Sequence, residues 1–296
     1  MNTNIINNQM EKELIKYHRC AEVDIDLVFS AFSKGFSDYI IKIEMPKETF
    51  IKNFFGPEGN SLEHSFMATY DGEPIGVILG GIKHYEGIKT MRCGALAVSP
   101  DFRGEGVSKR LFELHKEEAL KHNCKQLFLE VIVGNDRAIN FYKRLGYEKI
   151  YNLSVFSLSD PSQLPEAKIL ENVDFKKTSF IDYEKAAVNW DYHINWQNDV
   201  DYIRLAENYH FYGAYVKNAI VGCLCVSGTG RISFLMVDKD HRGYGIGIAL
   251  LNQAKADFDL KNMTTSFPNN NKLEGFLKRL GFKRNNLAQY EMYYIL

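Results

Sequence analysis

Two glycine-rich hexapeptides are the residues of this chain whose types and spacing point most directly to chemistry. "RGEGVS" occupies residues 103–108 and "RGYGIG" occupies residues 242–247, each between an apolar run and a stretch of helical periodicity. A loop that leaves a strand and enters a helix directs free backbone N–H groups, and the positive end of the helix dipole, to one point. Glycine lets the main chain approach a ligand without a Cβ, so this point suits a pyrophosphate.

Other glycine-rich phosphate loops fit these hexapeptides less well. A Walker loop ends in Gly-Lys-Ser or Gly-Lys-Thr, and a dinucleotide fingerprint requires GxGxxG with an acidic residue after the next strand. Neither hexapeptide matches either pattern. The remaining alternative is that the glycines serve only the turn. Because the same loop occurs twice in the same context, a shared binding role is favoured.

The two loops belong to a longer internal repeat. Residues 95–112 align without a gap with residues 234–251, and residues 140–149 align with residues 275–284. Since the order of the matches is the same in both halves, the sequence predicts two copies of one domain.

The two copies are predicted to fold as separate domains. We expect the first over residues 1–160 and the second over residues 169–296. The stretch 159–168 contains two prolines and shows no apolar periodicity. Residues 161–168 are therefore predicted to be the linker.

Each copy is predicted to be a mixed α/β sheet in which a hairpin precedes a strand, a crossover helix and a second strand. In the first copy, strands flank the turn at Asp71 and Gly72, a third strand covers 90–99, and helical periodicity covers 107–122. The strand–helix–strand order implies parallel pairing. In the second copy the elements are a hairpin at 210–227, strands at 231–238, 263–267 and 287–295, and helices at 246–260 and 270–280.

These loops and their flanking strands resemble motif A of the GCN5-related N-acetyltransferases. The family pattern is Arg/Gln-x-x-Gly-x-Gly/Ala after a strand ending in Leu-x-Val; 242–247 matches it fully, and the first loop departs from it in Ser108. The resemblance implies a tandem duplication of the acyl-CoA N-acyltransferase fold, with acetyl-CoA as co-substrate. The residues that it assigns to acetyl-CoA are Leu96, Ala97, Val98, Arg103, Gly104, Glu105, Gly106, Val107, Ser108, Asn135, Tyr142, Arg242, Gly243, Tyr244, Gly245, Ile246 and Gly247.

Candidate acid and base groups follow in the first copy. "LEVIVGNDRAINFYKRLGY" contains Glu130, Asn135 and Tyr142 and resembles the ribosomal-protein N-terminal acetyltransferases of the same family. The resemblance makes Tyr142 the general acid for the CoA sulfur and Glu130 the base, acting through water. It makes the main-chain N–H groups of 96–98 the oxyanion donors. Ordinary roles stay open: packing for Tyr142, a salt bridge for Glu130 and a helix cap for Asn135.

The second copy lacks these acid and base groups. Thr265 aligns with Glu130 and Leu277 aligns with Tyr142, although the complete glycine loop is kept. The second copy is expected to bind CoA without reacting, to shape the acceptor site of the first copy, or to use another acid. The candidates for that acid are Tyr290, Tyr293 and Tyr294.

The acceptor site of the family lies where the first helices meet the sheet. Phe36, Asp38 and Tyr39 fall in that segment and are candidate contacts for a cationic amine, with packing or an exposed turn as the alternatives. The resemblance thus predicts acetyl transfer from acetyl-CoA to a primary amine of a small molecule or peptide, by direct attack in a ternary complex. The alternatives are a CoA-binding sensor or scaffold without catalysis, and catalysis in the second domain.

Composition limits the possible partners. Thirty-six basic and 37 acidic residues leave a net charge of -1, which argues against a nucleic acid or a membrane surface as partner. The chain shows neither a signal-peptide pattern nor a run of about 18 apolar residues, so a cytoplasmic location is expected. Two tandem copies are expected to form an intramolecular pseudo-dimer in a monomer, or a homodimer.

No metal is expected from the sequence. The five cysteines form no CxxC pair. His115 and His122 can share a helix face, but the sequence suggests no carboxylate or thiol that completes a ligand set with them.

Overall fold

The structure is a computed structural model that describes residues 14–168 and 172–296. Its contacts divide the chain into two compact units. Met1–Ile150 and Glu291–Leu296 form the first unit, and Tyr151–Tyr290 form the second. Each unit contains a mixed sheet with helices, so the predicted fold class is confirmed.

The first unit begins with an antiparallel arrangement of four strands, to which a parallel strand is added. Its strand order is β1-β2-β3-β4-β5, followed by β12 (Lys283–Ile295) from the end of the chain. The turn between β2 and β3 has positive φ at Asp71 (47°) and Gly72 (82°), as a tight hairpin requires. The strands are β1 (Ile15–Arg19), β2 (Ser61–Tyr70), β3 (Glu73–Tyr85), β4 (Ile88–Val98) and β5 (Gln126–Ile132).

Four helices accompany this sheet. They are α1 (Ile25–Gly35), α2 (Lys47–Phe54), α3 (Val107–Lys121) and α4 (Asp136–Arg144). The buried face of α1 carries Val28, Ala31 and Phe32, which share one core cluster with Phe50 of α2. Burying such side chains stabilises the unit by about 1.5–3 kcal/mol each. The end of α1 is thereby fixed close to β4, where the first glycine loop begins.

The second unit repeats this plan. Its strand order is β6-β11-β10-β9-β8-β7. The strands are β6 (Glu148–Leu158), β7 (Asp174–Lys177), β8 (Tyr209–Val216), β9 (Ala219–Ser227), β10 (Arg231–Val237) and β11 (Met263–Pro268). The helices are α5 (Phe180–Val188), α6 (Val200–Leu205), α7 (Ile246–Phe258) and α8 (Asn271–Arg279). The main core lies under α7, whose Leu250, Leu251 and Ala254 are fully buried.

The unit boundaries differ from the predicted domain boundaries for a physical reason. Leu153–Leu158 of β6 pair antiparallel with Met263–Pro268 of β11, which is part of the second unit. Conversely, the last residues of β12 (Lys283–Ile295) belong to the first unit. There the Tyr294 hydroxyl accepts a hydrogen bond from Lys116 at 2.5 Å. Each copy is thus completed by a strand distant in sequence from its other strands.

The predicted linker lies within the second unit. Its prolines form a short 3-10 turn at Pro161–Gln163, and Asn252 of α7 donates a hydrogen bond to the Pro165 carbonyl at 3.0 Å. Further on, the Lys168 carbonyl oxygen lies only 2.5 Å from the position that a Cβ at Gly245 would take. Residues 169–171 of the predicted second domain lie outside the described residues.

Two further observations concern the sequence predictions. Among residues 14–168 and 172–296, every helix is too short or too polar to cross a membrane. All five cysteines are buried free thiols, as the absence of a disulfide pattern predicted.

Candidate functional site

Both glycine loops adopt the backbone conformation that only glycine takes readily. Gly104 and Gly106 have φ values of 92° and 86°, and Gly243 and Gly245 have 87° and 79°. A side chain at any of these positions would be strained in this left-handed region. Gly106 and Gly245 each stand directly before the first residue of a helix, α3 and α7.

The loops present unused hydrogen-bond donors. The main-chain N–H groups of residues 104–109 and of residues 243–248 donate to no described residue. The first intrahelical bonds come one position later, from Arg110 to Gly106 and from Ala249 to Gly245. Each loop therefore presents free N–H donors at a helix N-terminus, an arrangement that suits an anion.

The arginine that starts each loop fastens it to the preceding strand. Arg103 Nε donates to the Val98 carbonyl at 3.0 Å, and Arg242 Nε donates to the Val237 carbonyl at 2.9 Å. These two bonds are equivalent in the repeat. They hold the loop at the end of the strand in both units.

The two arginines differ in what else they contact. Arg103 donates to the Gly35 carbonyl at 3.1 Å and forms an ion pair with Asp38, where Nη2 and Oδ1 are 2.6 Å apart. Hydrogen bonding to Arg103 lowers the pKa of the Asp38 carboxyl. Arg242 lies over the Trp190 ring, 5.9 Å from its centroid, and forms no ion pair with a described residue. No carboxylate of residues 14–168 and 172–296 therefore neutralises the positive charge of Arg242.

A cavity of about 390 Å³ adjoins the second loop. Its basic side chains include Arg242, Lys272 and Arg279, and no acidic residue is found among the described residues that line it. Neither Lys272 nor Arg279 forms an ion pair with a described residue. The apolar part of the wall consists of Trp190, Leu235, Val237, Ile246, Ile248, Leu273 and Phe276. The cavity suits a ligand that is anionic at one end and apolar along its length.

Helix α8 supplies one wall of the cavity. Asn270 caps this helix by accepting a hydrogen bond from Leu273 N at 3.0 Å. Lys272, Phe276 and Arg279 follow at spacings of four and three residues, which place side chains on one helix face. The sequence analysis missed these residues, although the spacing was visible. The same spacing in α4 holds Arg137, Phe141 and Arg144.

A narrower cavity of about 50 Å³ shares Trp190, Leu235, Asn270 and Leu273 with the larger one. It lies where the parallel pairing of β10 with β11 stops, at Ile232 and Thr265. Beyond this point the two strands separate. Thr265, which aligns with Glu130, lines this narrower cavity with its neighbours Ser266 and Phe267.

The segment after α5 supplies the remaining wall. Trp190 and Tyr192 lie in this segment, with ring centroids 5.2 Å apart. Tyr192 is the one hydroxyl-bearing side chain among the described residues that line the larger cavity. These two residues carry no periodic signal in the sequence, because the segment is irregular.

In the first unit, Tyr142 of α4 is buried against β4. Its hydroxyl lies beside the thiol of Cys93, the last residue of β4 that pairs with β5. Burial, with a further contribution from Cys93, raises the pKa of Tyr142 well above its usual value. The Tyr142 hydroxyl thus has a sulfur atom as neighbour, at the point where β4 and β5 separate.

Glu130 lies in a buried ion-pair cluster. Its Oε2 accepts a hydrogen bond from Arg92 Nη2 at 2.8 Å, and Arg92 also pairs with Glu58. The Glu130 side chain is only 3% exposed. Burial raises the pKa of Glu130 to about 7, against the opposing effect of the Arg92 charge. This geometry favours the structural alternative for Glu130, because the carboxylate is held by Arg92 and has little access to solvent.

The remaining predicted residues of the first unit contact one another. Asn135 caps α4 by accepting a hydrogen bond from Ala138 N at 3.2 Å, and its side chain also hydrogen-bonds with Tyr39. Phe36 packs edge-on against Tyr39, with ring centroids 4.9 Å apart. Together with the Asp38–Arg103 pair, these contacts link the segment after α1 to the glycine loop and to α4.

The other candidates are placed as follows. Residues 96–98 pair with β3 on one side, while the parallel pairing with β5 has ended at Cys93, so β4 has an edge without a ladder partner here. Leu277 is fully buried in the core of the second unit. Of the three tyrosines near the C-terminus, Tyr290 belongs to the second unit, and Tyr293 and Tyr294 belong to the first.

Comparison with known families agrees with the repeated fold. A family model described as "Acetyltransferase (GNAT) family" matches residues 28–147, and one described as "Acetyltransferase (GNAT) domain" matches residues 181–294. The two matches lie in the two halves and together span most of the chain. The chain belongs to the GNAT acetyltransferase family. Its tandem organisation, predicted from the repeat, is confirmed.

Similar proteins differ from this GNAT chain in length. An uncharacterised N-acetyltransferase of Methanocaldococcus jannaschii is 30% identical over 128 residues, which is 42% of this chain and 55% of that protein. An acetyltransferase of Pectobacterium atrosepticum is 31% identical over 84 residues, covering 28% and 57% respectively. The aligned regions therefore span little more than half of these relatives.

Solved structures share the fold over nearly the whole chain. A GCN5-related N-acetyltransferase from Sphaerobacter thermophilus has a TM-score of 0.68 at 14% identity, covering 95% of each chain. A tandem GNAT protein from the clavulanic acid biosynthesis pathway has a TM-score of 0.69 at 15% identity, covering 95% of this chain and 98% of its own. At this level of identity, the likeness shows the fold.

Proposed function

We propose that this GNAT protein transfers the acetyl group of acetyl-CoA to a primary amine, and that the second unit holds the acetyl-CoA. The observation that carries the proposal is the cavity at the second glycine loop. Acetyl-CoA is anionic at its phosphates and carries a long, weakly polar arm. The cavity offers the N–H groups of the loop, Arg242, Lys272 and Arg279 to the phosphates, and an apolar wall to the arm.

The separation of β10 from β11 supports the placement of the thioester. The narrower cavity begins at that separation and adjoins the larger one. Leu235 to Val237 of β10 align with Leu96 to Val98, the predicted oxyanion donors of the first copy. Main-chain N–H groups of this stretch would stabilise the tetrahedral oxyanion.

The reaction needs a proton for the leaving thiolate. The neutral amine attacks the thioester carbonyl, the C–N bond forms, and the C–S bond breaks. The nitrogen loses its extra proton to solvent, the CoA thiolate takes a proton from the Tyr192 hydroxyl, and the resulting tyrosinate regains a proton from solvent. A thiol with a pKa near 8.5 and a phenol near 10 make this transfer feasible.

A second candidate places the reaction in the first unit. It is favoured by Tyr142, whose hydroxyl lies beside a sulfur atom, that of Cys93. It requires the Asp38–Arg103 pair to coexist with a bound pyrophosphate. The second unit is preferred because Arg242, unlike Arg103, forms no ion pair with any residue that the structure describes.

Turnover of two matched variants tests the placement. Release of free CoA thiol from acetyl-CoA is measured with a panel of amines for Tyr192→Phe and Tyr142→Phe. We expect Tyr192→Phe to lower kcat by about tenfold or more, with acetyl-CoA affinity kept and Tyr142→Phe near wild type. The reverse pattern would establish the second candidate. Tight acetyl-CoA binding without thiol release from any amine would favour a sensor or scaffold.

A further inference from the structure

Three side chains of the first unit lie close together, apart from its glycine loop. His64 of β2 and His122, the residue after α3, both point a ring nitrogen at Glu118 of α3. His64 Nδ1 is 2.9 Å from Glu118 Oε1, and His122 Nε2 is 3.1 Å from the same oxygen. The three potential ligand atoms all lie within 4.8 Å of one another. We call these residues the His–Glu–His cluster.

The spacing of these atoms is close to that of a tetrahedral metal site. Metal–ligand distances of about 2.0–2.2 Å place neighbouring ligands about 3.3 Å apart. The observed separations from the Glu118 oxygen are shorter by a few tenths of an ångström. A small outward rotation of the two imidazole rings would therefore admit an ion.

The surroundings orient the ligands. Arg19 Nη2 binds the other Glu118 oxygen, Oε2, at 2.8 Å, which leaves Oε1 facing the histidines. Such an outer hydrogen bond is typical of metal sites, where it fixes the ligand's orientation. The Glu118 side chain is only 4% exposed, whereas those of His64 and His122 are 22% and 37% exposed. The cluster is thus anchored on its inner side and open to solvent on its outer side.

We propose that the His–Glu–His cluster binds a zinc ion, with His64 Nδ1, His122 Nε2 and Glu118 Oε1 as ligands and a water in the fourth position. Two imidazoles and one carboxylate are an established ligand set for Zn²⁺. The ion would join β2 to the C-terminal end of α3. Because the N-terminal end of α3 forms the first glycine loop, the ion would anchor the helix that positions that loop.

The sequence expectation of no completing carboxylate was wrong at this point. Glu118 precedes His122 by four residues, a spacing that puts both on one helix face. His64 comes from a distant strand, which the sequence did not connect with α3. Only the folded chain brings the three together.

The test is a titration of the untagged, metal-free protein with ZnCl₂, followed by calorimetry. We expect one ion per chain, with affinity lowered by more than about tenfold in His64→Gln and in His122→Gln. His84→Gln is the matched control, since it removes an exposed histidine of β3 and should leave binding unchanged. Thermal unfolding in EDTA shows whether each variant is folded before zinc is added.

Cobalt provides a measurement that needs no variant. Co²⁺ bound to wild type in a four-coordinate site should show the intense visible absorption of tetrahedral cobalt, displaced by one equivalent of Zn²⁺. Absence of zinc binding in wild type, or unchanged binding in both histidine variants, would overturn the proposal. A weak octahedral Co²⁺ spectrum would also overturn it, because the proposal requires a four-coordinate site.

Discussion

Replacing Arg92 with methionine tests the role of Glu130. Arg92 is 5% exposed and lies between Glu130 and Glu58, so methionine keeps much of its length but removes the only cation hydrogen-bonded to Glu130 among the described residues. Breaking a buried ion pair by removing one partner typically costs about 3–5 kcal/mol. We expect the free energy of unfolding of Arg92→Met to be lower than that of wild type by an amount in this range at about pH 8, where Glu130 is ionised.

The loss should depend on pH in a defined direction. The folded-state pKa of Glu130, about 7, is raised above its ordinary value of 4.5. The stability linked to its protonated form is therefore fully present below pH 4.5 and is lost as the pH rises through 7. Without Arg92 the folded-state pKa of Glu130 rises further. The free energy of unfolding therefore falls more in the variant than in wild type as the pH rises. The difference in free energy of unfolding between wild type and the variant should be smaller at about pH 5 than at about pH 8.

Urea unfolding of both proteins at the two pH values measures this gap. Adding Glu130→Gln to Arg92→Met should restore part of the stability at the higher pH, because it removes the unpaired buried charge. Arg110→Met is the matched control: this exposed arginine pairs with Glu113 and Glu117, and its loss should cost less than about 1 kcal/mol. An equal loss at both pH values, or a loss as small as that of the control, would refute the ion-pair role of Glu130.

Three further predictions concern the donor site and the backbone. Arg279→Gln should raise the KM for acetyl-CoA by about tenfold or more, since a charged hydrogen bond is worth about 1.5–3 kcal/mol. Arg144→Gln in the first unit should leave this KM unchanged. Equal effects of the two variants in steady-state kinetics would contradict the assignment of the donor site to the second unit. Gly81→Ala should lower the free energy of unfolding by about 1–3 kcal/mol, because its Cβ would stand 1.9 Å from the Gly59 carbonyl oxygen, and an unchanged urea midpoint would count against this packing. Gly275→Ala, inside α8 with only the tip of Arg279 nearby at 3.5 Å, should raise the melting temperature by a stabilisation of up to about 1 kcal/mol.

The parts that the sequence predicted well are those with local signals. Helix α3 over Val107–Lys121 and helix α7 over Ile246–Phe258 lie close to their predicted bounds, because apolar periodicity and the preceding glycines mark both. The glycine loops were identified because their left-handed φ values require glycine. The Asn135 cap follows from a local preference of asparagine at helix starts.

The parts that it did not predict depend on distant contacts. Strand β6 lies inside the predicted first domain, but it pairs with β11 of the second unit, whose residues are more than one hundred positions away. The pairing of Arg103 with Asp38, and its absence at Arg242, distinguishes two loops that are nearly identical in sequence. Likewise, Trp190 and Tyr192 reach the cavity from an irregular segment. Periodicity carries no information about such contacts.

Calorimetric titration with acetyl-CoA tests the central claim most directly. Ser108→Trp and Gly247→Trp place the same bulky side chain at the second residue of α3 and of α7, where neither backbone has positive φ. We predict that wild type and Ser108→Trp bind acetyl-CoA with similar affinity, and that Gly247→Trp, which fills the cavity beside Phe276, does not bind it. Loss of binding in Ser108→Trp alone would contradict the account and place the donor in the first unit.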